Sequence, residues 1–436
     1  MVKDYYSFNK KIKKLITIFL LGILIFLVFP INSKLDIATG QEKYSLYTET
    51  GYLSVSAKSA ILIDTDSGRV LWEKYPHRKQ SPASITKIMT AILAIENGDF
   101  KDKIVISEEA TLVGESEVWL EKDEVITLEN LVYSALLFSA NDACHSIAEY
   151  ISESVEKFVK MMNEKVKEIG LSNTKFVNPH GLDNEDNEHG NVSSAYDIAQ
   201  IAKYCMKNPV FAEIVNTKMK VMPGPPSSDE KRYVANRNKF LNKYEYSNGI
   251  KTGYTIKAGL CLVASAKKDD INLIGVVLDS EPGYRDQDMI NLFEYGFSNY
   301  KKIDVGIKNP FPNLIIEKDG YYKEIEVNTI DSIYILLKSE EEKDLQIEAE
   351  IYNKVNLPIK RGEEIGKINI GIGDNKIDEI NISSLKNVDI KYNQNDISKI
   401  IPSIWKDYYG FLTIFLLFIL IFLSFKRALN LKNKRS

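Results

Sequence analysis

The sequence predicts an α/β (α+β) architecture, in which an antiparallel sheet flanked by helices contains a helical insertion. Strand-forming runs at 59–74 and 259–280 enclose a block of helical periodicity, so the block is an insertion between two parts of one sheet. Beyond residue 303, short β-rich runs alternate with charged turns, which indicates a small all-β domain. An apolar run at 408–425 predicts a transmembrane helix.

The first elements are a β-hairpin and a helix. Two apolar runs in "SAKSAILIDTDSGRVLWEKYP" flank a turn at 65–68, which is a hairpin pattern. The helix follows in "QSPASITKIMTAILAIENG", residues 80–98. We expect Ser81 to cap it, Pro82 to occupy its first position and Gly98 to end it.

The remaining elements follow from periodicity. Apolar residues recur at helical spacing in three segments of the insertion and again near residue 290. Neighbouring late strands are joined by short turns and must therefore be antiparallel. The predicted helices are 128–150, 154–169, 194–207 and 285–300, and the predicted strands are 233–241, 259–268 and 271–280.

Both ends of the chain predict contact with a membrane. Four lysines at 10–14 precede an apolar run at 15–31, which is typical of a signal peptide or an N-terminal membrane segment. A basic cluster follows the run at 408–425. Positive charge at both outer flanks places the chain between the two runs outside the cytoplasm. The predicted organisation is a leader segment 1–40, a main α/β domain 54–303, a β-rich domain 304–395, an anchor 408–425 and a cytoplasmic tail 426–436.

Charge and cysteine content exclude some function classes. A formal net charge of −4 over 436 residues gives no reason to expect a nucleic-acid partner. The three cysteines, Cys144, Cys205 and Cys261, lie far apart and lack metal-ligand spacing. We therefore interpret them as small buried apolar residues.

Ser84 and Lys87 are the first candidate pair for chemistry. Ser-x-x-Lys also occurs elsewhere in the chain, for example at 154–157, 172–175 and 228–231, so spacing alone does not single this pair out. Its context does, because both residues lie in the first turn of an apolar helix, where the macrodipole favours an anion and disfavours a proton on lysine. Desolvation there brings a lysine pKa from ~10.4 toward neutrality, as a general base requires.

Two polar triplets follow at later positions. Ser139-Ala140-Asn141 comes after an apolar helical stretch, and Lys251-Thr252-Gly253 opens a predicted strand and hairpin. Ser-x-x-Lys, Ser-x-Asn and Lys-Thr-Gly in this order resemble the penicillin-binding proteins and serine β-lactamases. "FVNPHGLD", "SAYDIAQIAKY" and "KTGYTIKAGLCLVASA" are similar to the low-molecular-mass D-alanyl-D-alanine carboxypeptidases, serine peptidase family S11. The resemblance spans about residues 54–300, and the β-rich domain and anchor fit the same group.

The resemblance implies an activity. The chain would remove the terminal D-alanine from peptidoglycan stem peptides through an acyl-enzyme, would bind β-lactam antibiotics covalently and would need no metal or organic cofactor. It would be anchored in the cell membrane by its C-terminal helix, with the catalytic domain extracytoplasmic. The implied fold is that of the serine β-lactamases and DD-peptidases.

The resemblance also implies a role for each motif residue. Ser84 would be the nucleophile, Lys87 its base and Ser139 a proton relay to the leaving amine. Asn141 would orient the substrate amide. The substrate's carboxylate would be held by Lys251 and Thr252 with help from Arg285, while Gly253 would let the substrate backbone approach the strand. Backbone N–H groups of Ser84 and Tyr254 would form the oxyanion hole.

Two departures from the family pattern bear on substrate preference. Tyr254-Thr255-Ile256-Lys257 follows Lys-Thr-Gly, where the family more often has an acidic residue before Ala-Gly. The loop "LDNEDNEHGNVSS" is longer and more acidic than the family's pattern.

Three other functions fit parts of the sequence. A β-lactamase shares the fold and the acylation step but needs a deacylating group, and no motif here clearly supplies one. His180, Asp183, Asp186 and His189 allow a metal site, and His180 allows a Ser-His-Asp triad; the alternative is a polar loop in which His180 and Asn178 hold the backbone. A catalytically inactive wall-binding scaffold is the third, although all three motifs are intact.

Overall fold

The structure, a computed structural model, describes most of the chain between its two ends. The described residues are 53–183, 190–304, 314–318, 321–325, 327–328, 334–352, 358–384 and 386–387. The predicted leader at 1–40, anchor at 408–425 and tail at 426–436 lie outside these ranges. Within these ranges, no helix combines the length and the apolar character needed to cross a membrane.

A five-stranded antiparallel sheet forms the centre of the first domain, in the order β2-β1-β9-β8-β7. The predicted hairpin and the predicted strands 259–268 and 271–280 are confirmed. Strand β7 is an edge strand, so one row of its backbone groups points away from the sheet. The strands are β1 (Ser59–Asp64), β2 (Val70–Lys74), β7 (Ser247–Thr255), β8 (Gly259–Lys268) and β9 (Ile271–Ser280).

Helices cover both faces of this sheet. Successive residues of β1 point to opposite faces, so Ile61 and Ile63 join one buried apolar cluster while Ala60 and Leu62 join another. The second cluster includes Phe293 from the closing helix α9. The helices are α1 (Lys87–Asn97), α2 (Glu108–Thr111), α3 (Leu128–Tyr133), α4 (Asn141–Ser152), α5 (Val155–Glu168), α6 (Ala195–Met206), α7 (Pro209–Asn216), α8 (Phe240–Lys243) and α9 (Arg285–Asn299).

Two predicted elements differ from the structure. The predicted helix 128–150 is two helices, separated by a π-helical turn at Ser134–Phe138 and by Ser139 in the left-handed conformation. The predicted strand 233–241 is a short strand that ends at Ala235 and a loop that leads into α8. Asn236 lies at this ending, where its backbone N–H donates to the carbonyl of Lys218 at 2.8 Å and its side-chain amide donates to the carbonyl of Thr217 at 2.9 Å.

Two small hairpins lie beside the helical layer, one formed by β3 and β4 and the other by β5 and β6. Neither was predicted, because each strand has only three or four residues. The strands are β3 (Lys103–Val105), β4 (Val125–Thr127), β5 (Met219–Met222) and β6 (Arg232–Ala235).

The C-terminal part is all-β, as predicted, and has its own apolar core of isoleucines that includes Ile365, Ile368 and Ile382. Strands β13, β17, β16 and β15 form one antiparallel sheet, and β10 pairs with β14. The strands are β10 (Lys301–Asp304), β11 (Leu314–Lys318), β12 (Tyr321–Ile325), β13 (Val327–Asn328), β14 (Tyr334–Leu337), β15 (Leu345–Ile351), β16 (Glu364–Ile372) and β17 (Asn375–Ser384).

Candidate active site

Ser84 lies in a 3₁₀ turn, Ala83–Thr86, that leads directly into α1. Ala83 has a φ of 47°, in the left-handed region that an L-residue enters at a cost of about 1–2 kcal/mol. Ser84 therefore follows a strained residue, and strain of this kind is concentrated at functional sites.

Ser81 does not cap this helix, so that prediction was wrong. The hydroxyl of Ser81 donates to the carboxylate of Asp183 at 3.2 Å, and the turn makes no side-chain cap bond. The left-handed residue at Ala83 redirects the chain, and the first turn closes through a backbone bond from Ile85 to Pro82 at 3.1 Å. Gly98 ends the helix, as predicted.

Lys87 contacts Ser84 directly. Its Nζ lies 3.0 Å from the Ser84 Oγ and donates to the carbonyl of His180 at 2.5 Å. The side chain of Lys87 is 0% exposed, and this burial lowers its pKa to about 8. A substantial fraction of Lys87 is then neutral near pH 8, and a neutral amine at hydrogen-bond distance can accept a hydroxyl proton.

A network of buried side-chain amides connects the Ser84 turn to the segment 178–181. Asn191 donates to the Thr86 hydroxyl and to the carbonyl of Asn178, each at 3.0 Å, and Asn178 accepts from the backbone of Gly181 at 2.7 Å. Gly181 has a φ of 89°, and a Cβ there would lie 2.0 Å from the carbonyl oxygen of Ala83. The segment 178–181 therefore packs against the turn as closely as a backbone can.

Ser139 lies at the junction between the π-helical turn and α4. Its φ is 68° and its side chain is 6% exposed. The junction is closed locally, since the Ala140 N–H donates to the carbonyl of Ser134 at 3.1 Å and the Ser134 hydroxyl donates to the carbonyl of Asn130 at 2.7 Å. The π-helical turn packs against α1, which brings Ser139 to the side of the sheet that carries Ser84.

Asn141 begins α4, and its side-chain amide donates to the carbonyl of Gly114 at 2.9 Å. Among the described residues, its buried Oδ1 has no hydrogen-bond partner. The amide nitrogen is thus already used, and the oxygen is the group available to accept a further bond. One helical turn later, Cys144 is close enough to Lys87 and Lys251 for their charges to act on its thiol, although burial dominates and raises its pKa to about 12.

The Lys-Thr-Gly triplet lies on the edge strand β7. Lys251 is 1% exposed, and burial together with the positive charge of Lys87 holds its pKa well below the usual value. Its Nζ donates to the Thr252 carbonyl at 3.2 Å. A Cβ at Gly253 would lie 2.9 Å from the Pro82 carbonyl oxygen, so only glycine lets this strand approach the Ser84 turn.

Tyr254 and Arg285 are placed differently from the other predicted site residues. Tyr254 is 62% exposed at the end of β7. Arg285 begins α9, and its guanidinium makes two bonds to the carboxylate of Asp286, at 3.0 and 2.7 Å. Its positive charge contributes to the low pKa of Lys251, so it lies on that side of the site, but its donors are partly used by Asp286.

The described contacts support neither of the two histidine alternatives, the metal site and the Ser-His-Asp triad. The imidazole Nδ1 of His180 accepts from the Leu182 N–H at 3.2 Å, and burial lowers the pKa of His180 to about 3. The backbone carbonyl of His180, and not its imidazole, accepts the hydrogen bond from Lys87. Asp186 and His189 lie outside the described residues, and no metal-ligating cluster of three such side chains occurs among the residues that are described.

The sequence did not single out Arg237 as a site residue. Its charge helps to lower the pKa of both Lys87 and Lys251, and its backbone N–H donates to the Leu137 carbonyl at 2.9 Å. Arg237 lies in the segment that we predicted to be a strand. Two flanking asparagines were the signal against a strand, because asparagine is depleted in strands.

Comparison with known proteins agrees with this geometry. The family model described as D-alanyl-D-alanine carboxypeptidase, peptidase family S11, matches residues 46–282, and the model described as penicillin-binding protein 5, C-terminal domain, matches 313–389. The D-alanyl-D-alanine carboxypeptidase DacF of Bacillus subtilis is 37% identical over 326 residues, which cover 73% of this chain and 82% of the relative.

Solved structures show the same fold. Penicillin-binding protein 5 from Haemophilus influenzae superposes with a TM-score of 0.64 at 26% identity, over 78% of this chain and 99% of that chain. The D-alanyl-D-alanine carboxypeptidase DacD from Francisella tularensis gives a TM-score of 0.59 at 27% identity, over 78% of this chain and 95% of that chain. The chain therefore belongs to the D-alanyl-D-alanine carboxypeptidases of serine peptidase family S11 and is a D-Ala-D-Ala carboxypeptidase.

Proposed function

We propose that Ser84 is the nucleophile of this carboxypeptidase and that neutral Lys87 is its general base. One observation carries the proposal: the Lys87 Nζ lies 3.0 Å from the Ser84 Oγ in a buried position that lowers the lysine pKa to about 8. A serine hydroxyl is a weak nucleophile unless a base within hydrogen-bond distance takes its proton.

The reaction then proceeds in two halves. The Ser84 Oγ attacks the carbonyl carbon of the D-Ala-D-Ala peptide bond while its proton passes to the Lys87 Nζ. The C–N bond breaks as a proton reaches the leaving D-alanine nitrogen through the Ser139 hydroxyl, and the stem peptide remains as an ester on Ser84. The proton that Lys87 took from Ser84 is the one that reaches the amine, so Lys87 is neutral again. Water then attacks the ester carbonyl and gives a proton to Lys87, the ester C–O bond breaks, and Lys87 returns the proton to the Ser84 Oγ as the shortened peptide leaves with its new carboxyl group.

Substrate binding is assigned to the strand β7 and its neighbours. Lys251 supplies positive potential, and the half-buried Thr252 hydroxyl holds the terminal carboxylate with help from Arg285. Asn141 orients the substrate amide. The oxyanion forms between the N–H groups of Ser84 and Tyr254, and each such donor contributes about 3 kcal/mol in other hydrolases.

The same serine is the proposed target of β-lactams, whose strained amide resembles the scissile bond. A labelled penicillin incubated with the purified protein should give one adduct, which peptide mapping by mass spectrometry should place on Ser84. Ser84→Ala should show no adduct and should lose D-Ala release by ~10⁴-fold or more. A label on another residue would refute the assignment. Fast penicillin turnover without D-Ala release would favour a β-lactamase instead.

The domain organisation is also a proposal. Residues 54–303 form the catalytic domain, and residues 304–395 form a β-rich domain that holds the active site away from the membrane. The run at 408–425 anchors the chain, with the catalytic domain extracytoplasmic. In cell fractionation, the full chain should sediment with membranes, and a chain that ends at residue 404 should appear in the soluble extracytoplasmic fraction. Recovery of the full chain in the soluble fraction would contradict the anchor, whereas retention of the shorter chain on membranes would show that the segment 1–40 also holds it there.

A further inference from the structure

An exposed tryptophan stands out in the loop between α2 and β4. The side chain of Trp119 is 70% exposed, and its backbone φ of 55° is in the left-handed region. A bulky residue rarely adopts this conformation, which persists only where surrounding groups hold it.

Hydrogen bonds hold the backbone of Trp119 on both sides. The N–H groups of Val118 and Leu120, on either side of Trp119, both donate to the buried carboxylate of Asp142 at 3.1 Å. The carbonyl of Trp119 accepts from Arg232 at 2.7 Å, and that guanidinium is itself paired with a buried carboxylate. The backbone is therefore fixed from both sides while the indole faces solvent.

The indole packs beside Phe138, the residue that precedes Ser139. Its ring centroid is 6.0 Å from that of Phe138 with an interplanar angle of 60°, and Phe138 directly precedes Ser139. The guanidinium of Arg237 lies over the Phe138 ring at 3.8 Å and donates to the Ser116 hydroxyl at 2.6 Å. We name Trp119, Phe138 and Arg237 together the aromatic shelf.

We propose that the aromatic shelf binds the aliphatic side chain of the stem-peptide residue that precedes D-Ala-D-Ala. This inference rests on the proposed roles of Ser84 and Ser139. The terminal carboxylate and the amides of the substrate are matched by the polar groups of β7. The aliphatic side chain is the part of the substrate that an indole and a phenyl ring complement, through apolar burial at a rigid aromatic surface.

The position of the shelf favours a peptide side chain over a sugar. Sugar rings also stack on exposed indoles, but the sugar of peptidoglycan is attached at the far end of the stem peptide. Because Phe138 is covalently adjacent to Ser139, a group on the shelf lies near the scissile bond. The parts of the substrate that lie this close to the scissile bond are side chains of the stem peptide.

The test compares two substrates that differ in one side chain, diacetyl-Lys-D-Ala-D-Ala and acetyl-Ala-D-Ala-D-Ala. Trp119→Ala should lower kcat/KM for the lysyl peptide about ten-fold and change it by less than about two-fold for the alanyl peptide. Trp119→Phe should retain most of the preference. Trp119→Gly should behave as Trp119→Ala does and also relieves the left-handed backbone strain, so it guards against misfolding.

Tyr75→Ala is the matched control, because Tyr75 is also an aromatic residue with a left-handed φ, of 46°, and is 68% exposed. It should leave both rates unchanged. An equal loss of kcat/KM for both peptides in Trp119→Ala, or no loss for the lysyl peptide, would contradict the proposed role of the aromatic shelf. A loss seen only with a peptide that carries its sugar would overturn it in favour of a sugar site. If the unmodified protein released D-alanine from neither peptide, the proposed function itself would fail.

Discussion

The turns that carry Ser84 and Ser139 both depart from α-helical geometry, but they are held in different ways. The Ser139 junction is closed by hydrogen bonds among residues 130–140. The Ser84 turn is instead packed against Gly181 and Gly253, which lie about 100 and 170 residues further along the chain. The Ser139 turn therefore closes within its own segment, although the Leu137 carbonyl also accepts from the Arg237 N–H and the Asn141 N–H donates to Ser116. The Ser84 turn depends on close packing by distant glycines.

The two turns are held differently, and the two serines also have different proposed roles in the reaction. Ser84 needs a base with a low pKa, and only burial by distant segments produces that environment around Lys87. Ser139 needs only a hydroxyl at a fixed point, and a turn that closes within its own segment can provide it.

Lys87→Arg should have the largest effect. A guanidinium stays protonated at all accessible pH values, so we expect acylation by labelled penicillin to fall by ~10³-fold. In the unmodified protein the acylation rate should rise with pH and level off above about pH 8, because the base acts only when deprotonated. The variant should show no such rise. A profile that keeps the same rise in Lys87→Arg would assign the base to another group.

Ser139→Ala should have the next largest effect, a loss of ~10²-fold in D-Ala release, because a proton relay is removed. Ser139→Gly should lose as much, although glycine suits the observed φ of 68° better than alanine. Thermal unfolding should show Ser139→Gly as the more stable of the two. Full activity in Ser139→Gly would show that only the turn geometry matters, and that the hydroxyl does not.

Gly181→Ala should disturb the Ser84 turn, because Gly181 packs directly against Ala83. A Cβ there would clash with the Ala83 carbonyl, so we expect a loss of 2–3 kcal/mol or more in the free energy of unfolding. Slower penicillin acylation should accompany this loss. Gly170→Ala is the matched control, since Gly170 has a φ of 85° with no atom within 4 Å of the added Cβ. It should cost only about 1 kcal/mol and leave acylation unchanged. Equal effects of the two changes would contradict nonlocal support.

Ser81→Ala should have the smallest effect. The change removes one bond of 3.2 Å from a buried hydroxyl to the Asp183 carboxylate, and we expect it to cost about 1 kcal/mol. Chemical denaturation of the two proteins in parallel measures the difference. Asp183→Ala should show a similar loss, and a loss in Ser81→Ala that Asp183→Ala does not reproduce would contradict the assignment of this bond.

The sequence predicted those parts of the fold that depend on local patterns. The hairpin at 65–68, the strands β8 and β9 and the helix α9 follow from alternation and periodicity, which are properties of neighbouring residues. The break at Ser139 was missed, because the flanking apolar residues continue the helical pattern through it. Residues 131–140 are all apolar or small, so the extra residue of a π-helical turn leaves no visible break in the pattern.

The candidate site shows the same limit. Ser84 and Lys87 could be paired from their spacing, because a helical turn brings such residues together. Asn191 and Arg237 could not be added, since their contacts with the site depend on chain segments that meet only in the folded protein. Trp119 was missed for a related reason, as its exposure and left-handed φ have no sequence pattern.

The burial of Lys87 also has a consequence for folding. Its pKa is 10.5 in an unfolded chain and about 8 in the folded protein, so the unfolded state binds the proton more tightly. Below pH 8 this difference disfavours the fold by on the order of 3 kcal/mol, and the penalty shrinks as pH rises toward 10.5. Replacement of this lysine by methionine would thus yield an inactive chain that is more stable at neutral pH. The reactive serine is maintained at the expense of the protein's own stability.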